Sequence, residues 1–216
     1  MIATIERYVR ASARELGTDH LDPRVMDAMR RVPRHAFVPD ELEDAAYEDR
    51  PLPIGFGQTI SQPFIVALMS HLAQIEPNHR VLEVGTGSGY QAAVLSLLAR
   101  EVKSIEVVPE LAVSAAKRLA RLGYENVEVR CADGYAGWPG TEDAPFDAIV
   151  VTAAAPRVPP ALVAQLRVGG NLVIPVGEPY APQRLEVLHK EGAEQLTTRV
   201  VLPVAFVPLV HRGVGT

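Results

Sequence analysis

The sequence is short of several things, and each shortage excludes a class of protein. It holds one cysteine, Cys131, so it has neither an intrachain disulfide framework nor a cysteine-built zinc site. No apolar run approaches the roughly 18 residues that a membrane-crossing helix needs. The opening Met1-Ile-Ala-Thr-Ile-Glu-Arg7 places charges where a signal peptide has its apolar core. Positive charge is not in excess. A net charge of −5 argues against a general nucleic-acid binder, which needs a basic footprint. The six histidines show no metal-ligand spacing, and we expect no metal. These exclusions leave a soluble, cytoplasmic protein that works without nucleic acid or membrane.

What is present is a chain of 216 residues, long enough to bury a proper core as one domain. Residues 4 to 16 carry Ile5, Tyr8, Val9, Ala13 and Leu16 at helical spacing, with Thr4 as the expected cap and Gly17 as the stop. Asp22-Pro23 opens a second helix, buried through Val25, Met26, Met29 and Val32 and ended by Pro33. From Arg34 to Gln62 the periodicity disappears. The segment is rich in Pro and Gly yet holds Phe37, Val38, Leu52, Ile54, Phe56 and Ile60, so we expect an ordered loop packed over a site. Pro63 starts a helix running to about Gln74.

Strands and helices then alternate. Strands are expected up to Val84 and over 102–107, 126–130, 146–151 and 171–176, with helices over 90–99, 110–122 and 159–166 between them. Leu185-Glu-Val-Leu-His189 and Thr198-Arg-Val-Val-Leu202 flank a turn and read as a hairpin. The fold class is therefore α/β: a Rossmann-like, mostly parallel twisted sheet with helices on both faces, an N-terminal helical extension and antiparallel C-terminal strands. Within one domain, residues 1–78 would form the helices and acceptor segment, 79–180 the cofactor core, and 181–216 the final strands.

The centre of this pattern is Arg80-Val-Leu-Glu-Val-Gly-Thr-Gly-Ser-Gly-Tyr90, a strand, a glycine turn and the start of a helix. A P-loop is excluded, because no Gly-Lys-Ser/Thr follows. A dinucleotide fingerprint is incomplete, because Tyr90 stands where its third glycine belongs. Acids close three strands: Glu83, Glu106 and Asp133. They would repel a pyrophosphate but suit S-adenosyl-L-methionine, which carries an ammonium and a sulfonium and no phosphate. On this reading Glu106 accepts from the ribose hydroxyls and Asp133 from the adenine amine. The backbone of Gly85, Thr86, Gly87 and Ser88 holds the methionine end. The bland alternative makes Glu83 and Asp133 helix caps or solvated strand ends.

Beyond the loop, several stretches carry a resemblance. They are Val32-Pro-Arg-His-Ala-Phe-Val-Pro39, Gly57-Gln-Thr-Ile-Ser-Gln-Pro63, Leu122-Gly-Tyr-Glu-Asn-Val127, Pro145-Phe-Asp-Ala-Ile-Val-Val-Thr-Ala-Ala155 and Ala205-Phe-Val-Pro-Leu209. Together with the glycine loop the chain resembles the protein-L-isoaspartate (D-aspartate) O-methyltransferases. The resemblance implies methyl transfer from S-adenosylmethionine to the carboxylate of L-isoaspartyl residues in peptides and proteins. The ester then closes to a succinimide, which hydrolyses in part to normal aspartate. The family's active-site serine falls on Ser61, and its cofactor residues on Glu83, Gly85, Thr86, Gly87, Ser88, Glu106, Asp133 and Gly134. Thr59, Ile60 and Val207 are the expected lining of the substrate channel. The chain departs from the family pattern at Ala132, where glycine is usual, and at Ala205, where arginine is frequent.

A carboxylate nucleophile is already ionised at pH 7, so no general base is needed. Ser61 is then an orienter that donates a hydrogen bond to one carboxylate oxygen; on position alone it also reads as the N-cap of the helix at Pro63. The protein is expected to act as a monomer. Competing readings are a same-fold methyltransferase with a small-molecule acceptor, a cofactor-binding module without activity, and, more remotely, an NAD-dependent enzyme.

Overall fold

The computed structural model describes residues 1–140, 144–178, 181–193 and 195–211. The expected limit of the cofactor core at residue 180, and residues 212–216 of the C-terminal segment, lie outside the described residues.

Helix α1 (Ile2–Ala11) begins ahead of the expected cap at Thr4, because the Met1 carbonyl takes the amides of Thr4 and Ile5, both at 3.0 Å. Ser12 interrupts the helix, and α2 (Ala13–Leu16) stops at Gly17 with φ +74°. In α3 (Pro23–Arg31) the Asp22 carboxylate accepts from the Arg24 amide at 2.8 Å, and Pro23 occupies the first turn, where a missing N–H costs nothing.

The aperiodic segment is ordered, as expected, but it is not all loop. It holds two short 3-10 turns, over residues 34–37 and 40–45, and a hairpin of β1 (Leu52–Gly55) and β2 (Gln58–Ile60). Strands of four and three residues are too short to show alternation. The turn between them holds Gly55, Phe56 and Gly57 all at positive φ. Helix α4 (Pro63–Leu72) is buried on nearly every side, because α1, α3, α5 and a strand of the large sheet pack around it.

The large sheet is built from β3 (Arg80–Val84), β4 (Glu101–Glu106), β5 (Val127–Cys131), β6 (Phe146–Val151), β7 (Leu166–Val176), β8 (Gln183–Lys190) and β9 (Leu196–Val204). Helices α5 (Tyr90–Ser96), α6 (Pro109–Arg121) and α7 (Pro160–Gln165) connect the parallel strands. The spatial order is β5-β4-β3-β6-β7-β8-β9; β3 to β7 run parallel and β8 and β9 antiparallel. This is the expected α/β class, with the helical extension in front and the antiparallel strands at the end. β7 starts five residues earlier than its apolar run suggests. Gly169 (φ +83°) and a register shift opposite Asp147 make a bulge that masks the alternation.

Alternation splits the core into two. Val81, Val102, Ala148, Val150 and Val173 face the N-terminal helices, α4 and α5. Leu82, Val84, Ile105, Ile149 and Val151 face α7 and Trp138. The strand order reverses between β3 and β6. At the carboxyl end of such a switch point, chains diverge to opposite faces and leave a crevice for a ligand.

Candidate active site

The glycine loop leaves β3 at that crevice. Gly85, Gly87 and Gly89 take φ of +99°, +52° and +91°, a region that costs an L side chain about 1 kcal/mol or more. At Gly85 space is also missing: a Cβ would lie 2.4 Å from Thr152 Oγ1. The amides of Gly85 and Thr86 both donate to the Ile105 carbonyl, at 2.8 and 3.1 Å, and the Gly87 amide donates to Glu106 Oε2 at 2.8 Å. Three consecutive amides are thus engaged within the protein. A phosphate-binding turn needs those amides free and aimed at the ligand. What the loop's neighbourhood offers the cleft instead is an acid, Glu106, which suits a cationic or hydroxyl-bearing ligand and not a pyrophosphate.

The three strand-end acids have three different environments. Glu106 is almost fully buried at the end of β4, and its Oε1 accepts from the Val108 amide at 3.0 Å. Each oxygen retains acceptor capacity toward the cleft between the loop, Val107 and Leu209. Asp133 caps the short turn 134–136, accepting from the Tyr135 amide at 2.9 Å, so the capping alternative holds for one of its oxygens. Its other oxygen lies 3.1 Å from His211 Nδ1, and the His211 ring stacks on Tyr135 at 4.0 Å. Gly134 lines the cleft. A Cβ there would lie 2.4 Å from Val84 and 3.2 Å from Leu209.

Glu83 corrects the sequence reading. Its side chain is fully buried beneath the loop and presents no surface to the cleft. One oxygen accepts from Ser104, whose hydroxyl also meets Thr86 Oγ1 at 2.5 Å; the other has no well-formed hydrogen bond among the described residues. Burial, reinforced by repulsion from Glu106 and opposed by the Ser104 bond, pushes its carboxyl up to about 8. Near neutral pH Glu83 is therefore mostly uncharged. It is neither a solvated strand end nor a charged neighbour of the ligand. Thr86 also points down, into this buried chain of hydroxyls, and Ser88 is buried with its carbonyl accepting from Arg118 at 2.8 Å.

Beside Ser61, a hollow of about 400 Å³ opens between the segment 59–62 and the chain 203–207, where β9 ends and irregular backbone follows. Thr59, Ser61 and Val207 line it, together with Thr152. Thr59, Ser61 and Thr152 also border a small hollow facing Gly85, Gly87 and Ser88. Ser61 thus stands where the two spaces meet. Ile60 lines only the small hollow; it pairs with Leu52 across the hairpin and packs into the main core. The capping reading of Ser61 does not hold. The residue at the cap position is Gln62, and the first turn of α4 is satisfied from a distance, by Asp49 Oδ1 accepting from the Phe64 amide at 2.8 Å. Among the described residues the Ser61 hydroxyl makes no hydrogen bond, so it is available to a ligand.

A family model described as protein-L-isoaspartate(D-aspartate) O-methyltransferase matches residues 12–214. The protein-L-isoaspartate O-methyltransferase 2 of a Polaromonas species is 56% identical over 209 residues, covering 97% of this chain and 98% of that one. The chain belongs to this family. The protein of the same name from Syntrophobacter fumaroxidans is also 56% identical, covering 97% of this chain and 84% of its own. Among solved structures, that of a Plasmodium falciparum protein described as a protein-L-isoaspartate O-methyltransferase, in complex with S-adenosyl-L-homocysteine, superposes with a TM-score of 0.76. It is 25% identical and covers 96% of this chain and 97% of its own.

The two departures from the methyltransferase pattern have simple settings. Ala132 is not among the residues at positive φ, so its backbone does not require the usual glycine. Ala205 lines the acceptor hollow with a methyl group where a family arginine would bring a cation. Residues that the sequence did not bring forward are Thr152, whose hydroxyl donates to the Gly85 carbonyl at 2.6 Å, and two in the irregular segment, Arg34 and Asp49. Thr152 was within reach, since it follows an apolar strand at the ligand-binding edge. The other two have partners far along the chain and no local signal.

Proposed function

We propose that the protein transfers a methyl group from S-adenosyl-L-methionine to the free carboxylate of L-isoaspartyl residues in damaged peptides and proteins. The observation that carries this reading is Ser61: an uncommitted hydroxyl at the junction of the loop-facing space and the acceptor hollow. Bound at the loop, S-adenosylmethionine supplies an electrophilic methyl on a sulfonium. Glu106 would accept from the ribose, Asp133 and Gly134 would frame the adenine, and the Gly85–Ser88 backbone would face the methionine end. Glu83 and Thr86 would act from below, by holding the loop in shape.

The substrate carboxylate needs no base at neutral pH. Ser61 would donate one hydrogen bond that turns a carboxylate oxygen toward the methyl. The walls formed by Thr59, Ile65 and Val207 would exclude water and so strip the nucleophile of hydration. Orientation of this kind can supply several kcal/mol, on the order of 7–11 in the best intramolecular models. The product ester would then cyclise to a succinimide without further help, which makes the enzyme the first step of a repair cycle. Cytoplasmic residence and a monomeric state belong to the same proposal; among the described residues no helix is long and apolar enough to cross a membrane.

The test is a pair of peptides identical but for one linkage. S-adenosylmethionine labelled in its methyl group should label the isoaspartyl peptide and not its aspartyl twin. Equal labelling of both, or of neither, would overturn the proposal.

A further inference from the structure

Arg34 is fully buried, yet it makes no ion pair among the described residues. Its Nε donates to the Ala46 carbonyl at 2.7 Å and its Nη2 to the Ser61 carbonyl at 2.8 Å. Its guanidinium carbon lies 4.8 Å from the centre of the Tyr90 ring. Nη1 is inaccessible and has no hydrogen-bond partner among the described residues. Burial pulls the guanidinium down from its ordinary value, opposed by Tyr90, Asp49 and Tyr47 around it. Burying a cation without a carboxylate is costly, and packing alone does not ask for it: an apolar side chain of similar volume would fill the space.

The three contacts explain what the charge does. Ala46 ends the irregular turn before the hairpin, Ser61 is the expected orienter, and Tyr90 is the first residue of α5, directly after the glycine loop. A planar fork reaches two carbonyls and lies on a ring at once, whereas a lysine ammonium is a point donor. Asp49 adds to the same clamp from the other side. It accepts from Gln62 Nε2 at 2.8 Å while capping α4. The main chain of Ser61 is therefore held against the base of the cofactor loop by side chains, with no ladder of a sheet or helix to do so.

Resting on the functional reading above, we propose that Arg34 is a positioning residue that fixes Ser61 relative to the cofactor loop and so sets the distance for methyl transfer. It touches no reacting atom; it acts through the Ser61 backbone and Tyr90.

The test uses the full chain with Arg34→Lys and Arg34→Ala. Turnover on the isoaspartyl peptide should fall about 10–100-fold in both, the range expected for a misplacement near 1 Å. Calorimetric affinity for S-adenosylhomocysteine should stay within about threefold, since no cofactor contact is removed. Amide hydrogen exchange should quicken over residues 58–62 and not over β3 and β6. Millimolar methylguanidinium should restore several-fold of the Arg34→Ala turnover and leave the wild type unchanged. Turnover within twofold of wild type, no rescue, exchange quickened across the whole sheet, or failure of both variants to fold would each overturn the proposal. If the wild type itself does not methylate the isoaspartyl peptide, the functional reading fails instead. The exchange measurement needs no substrate and still tests Arg34.

Discussion

In the proposed reading the cofactor side and the acceptor side of this site meet at Ser61, and the two are built on opposite plans. The cofactor side is the end of a regular sheet. Its loop is tied by its own amides to the neighbouring strand, through the Ile105 carbonyl and Glu106. The acceptor side is irregular chain, tied by side chains reaching across 27 residues from Arg34 and 15 from Asp49. In the first, geometry follows from strand pairing and a few glycines. In the second it rests on single side chains. The comparison teaches that binding and orientation are separable here: damage on one side should remove the cofactor, and damage on the other should leave it bound and idle.

The largest effect is expected on the sheet side. Gly85→Ala places a Cβ 2.4 Å from Thr152 Oγ1 at φ +99°, so the loop must shift. We expect more than about a hundredfold loss of S-adenosylhomocysteine affinity by calorimetry, from strain and lost contacts together on the order of 3 kcal/mol. Retained affinity would mean that the loop has a second arrangement and that the two plans are less distinct than they look.

Ser61→Ala is the matching break on the acceptor side. Loss of one orienting hydrogen bond should lower turnover about 10–100-fold, with cofactor affinity within twofold. An unchanged rate would remove Ser61 from the mechanism. A parallel loss of cofactor affinity would show that the two sides are not separable.

The same division governs what the sequence disclosed. β6 falls on the expected residues 146–151, because a strand covered on both faces is an unbroken apolar run. The turn at 85–89 was legible from its glycines, which local sterics demand. The hairpin at 52–60 was not, because seven strand residues around a strained turn carry no period. Arg34 and Asp49 were invisible as clamps, since nothing local links position 34 to position 61. On the acceptor side the family resemblance did what periodicity could not, pointing to Ser61 and to the lining at Thr59 and Val207. Glu83 was misread for a different reason. An acid at a strand end suggests a ligand, but side chains alternate, and Glu83 shares its parity with Val81, which faces the helices.

That parity supports the smallest expected effect on turnover. The Glu83 carboxyl titrates near 4.5 when unfolded and is pushed up to about 8 when folded. Between those values the folded chain holds a proton that the unfolded chain releases. Stability from this group is therefore full below about pH 4.5 and declines as pH rises toward 8. It is fully lost once the folded carboxyl has also ionised. The ceiling on that loss is about 4–5 kcal/mol, because each tenfold difference in proton affinity between the folded and unfolded chain is worth about 1.4 kcal/mol. Glu83→Gln has no proton to give up and keeps an oxygen for Ser104. The melting temperature of the variant, relative to wild type, should rise steadily between pH 5 and pH 9. Turnover at pH 7 should stay within about threefold, because most of the wild-type carboxyl is already neutral there. Parallel melting curves across that range would mean that Glu83 is ionised in place. The buried carboxylate would then be a negative charge beneath the cofactor loop after all, and the attraction first ascribed to three acids would return.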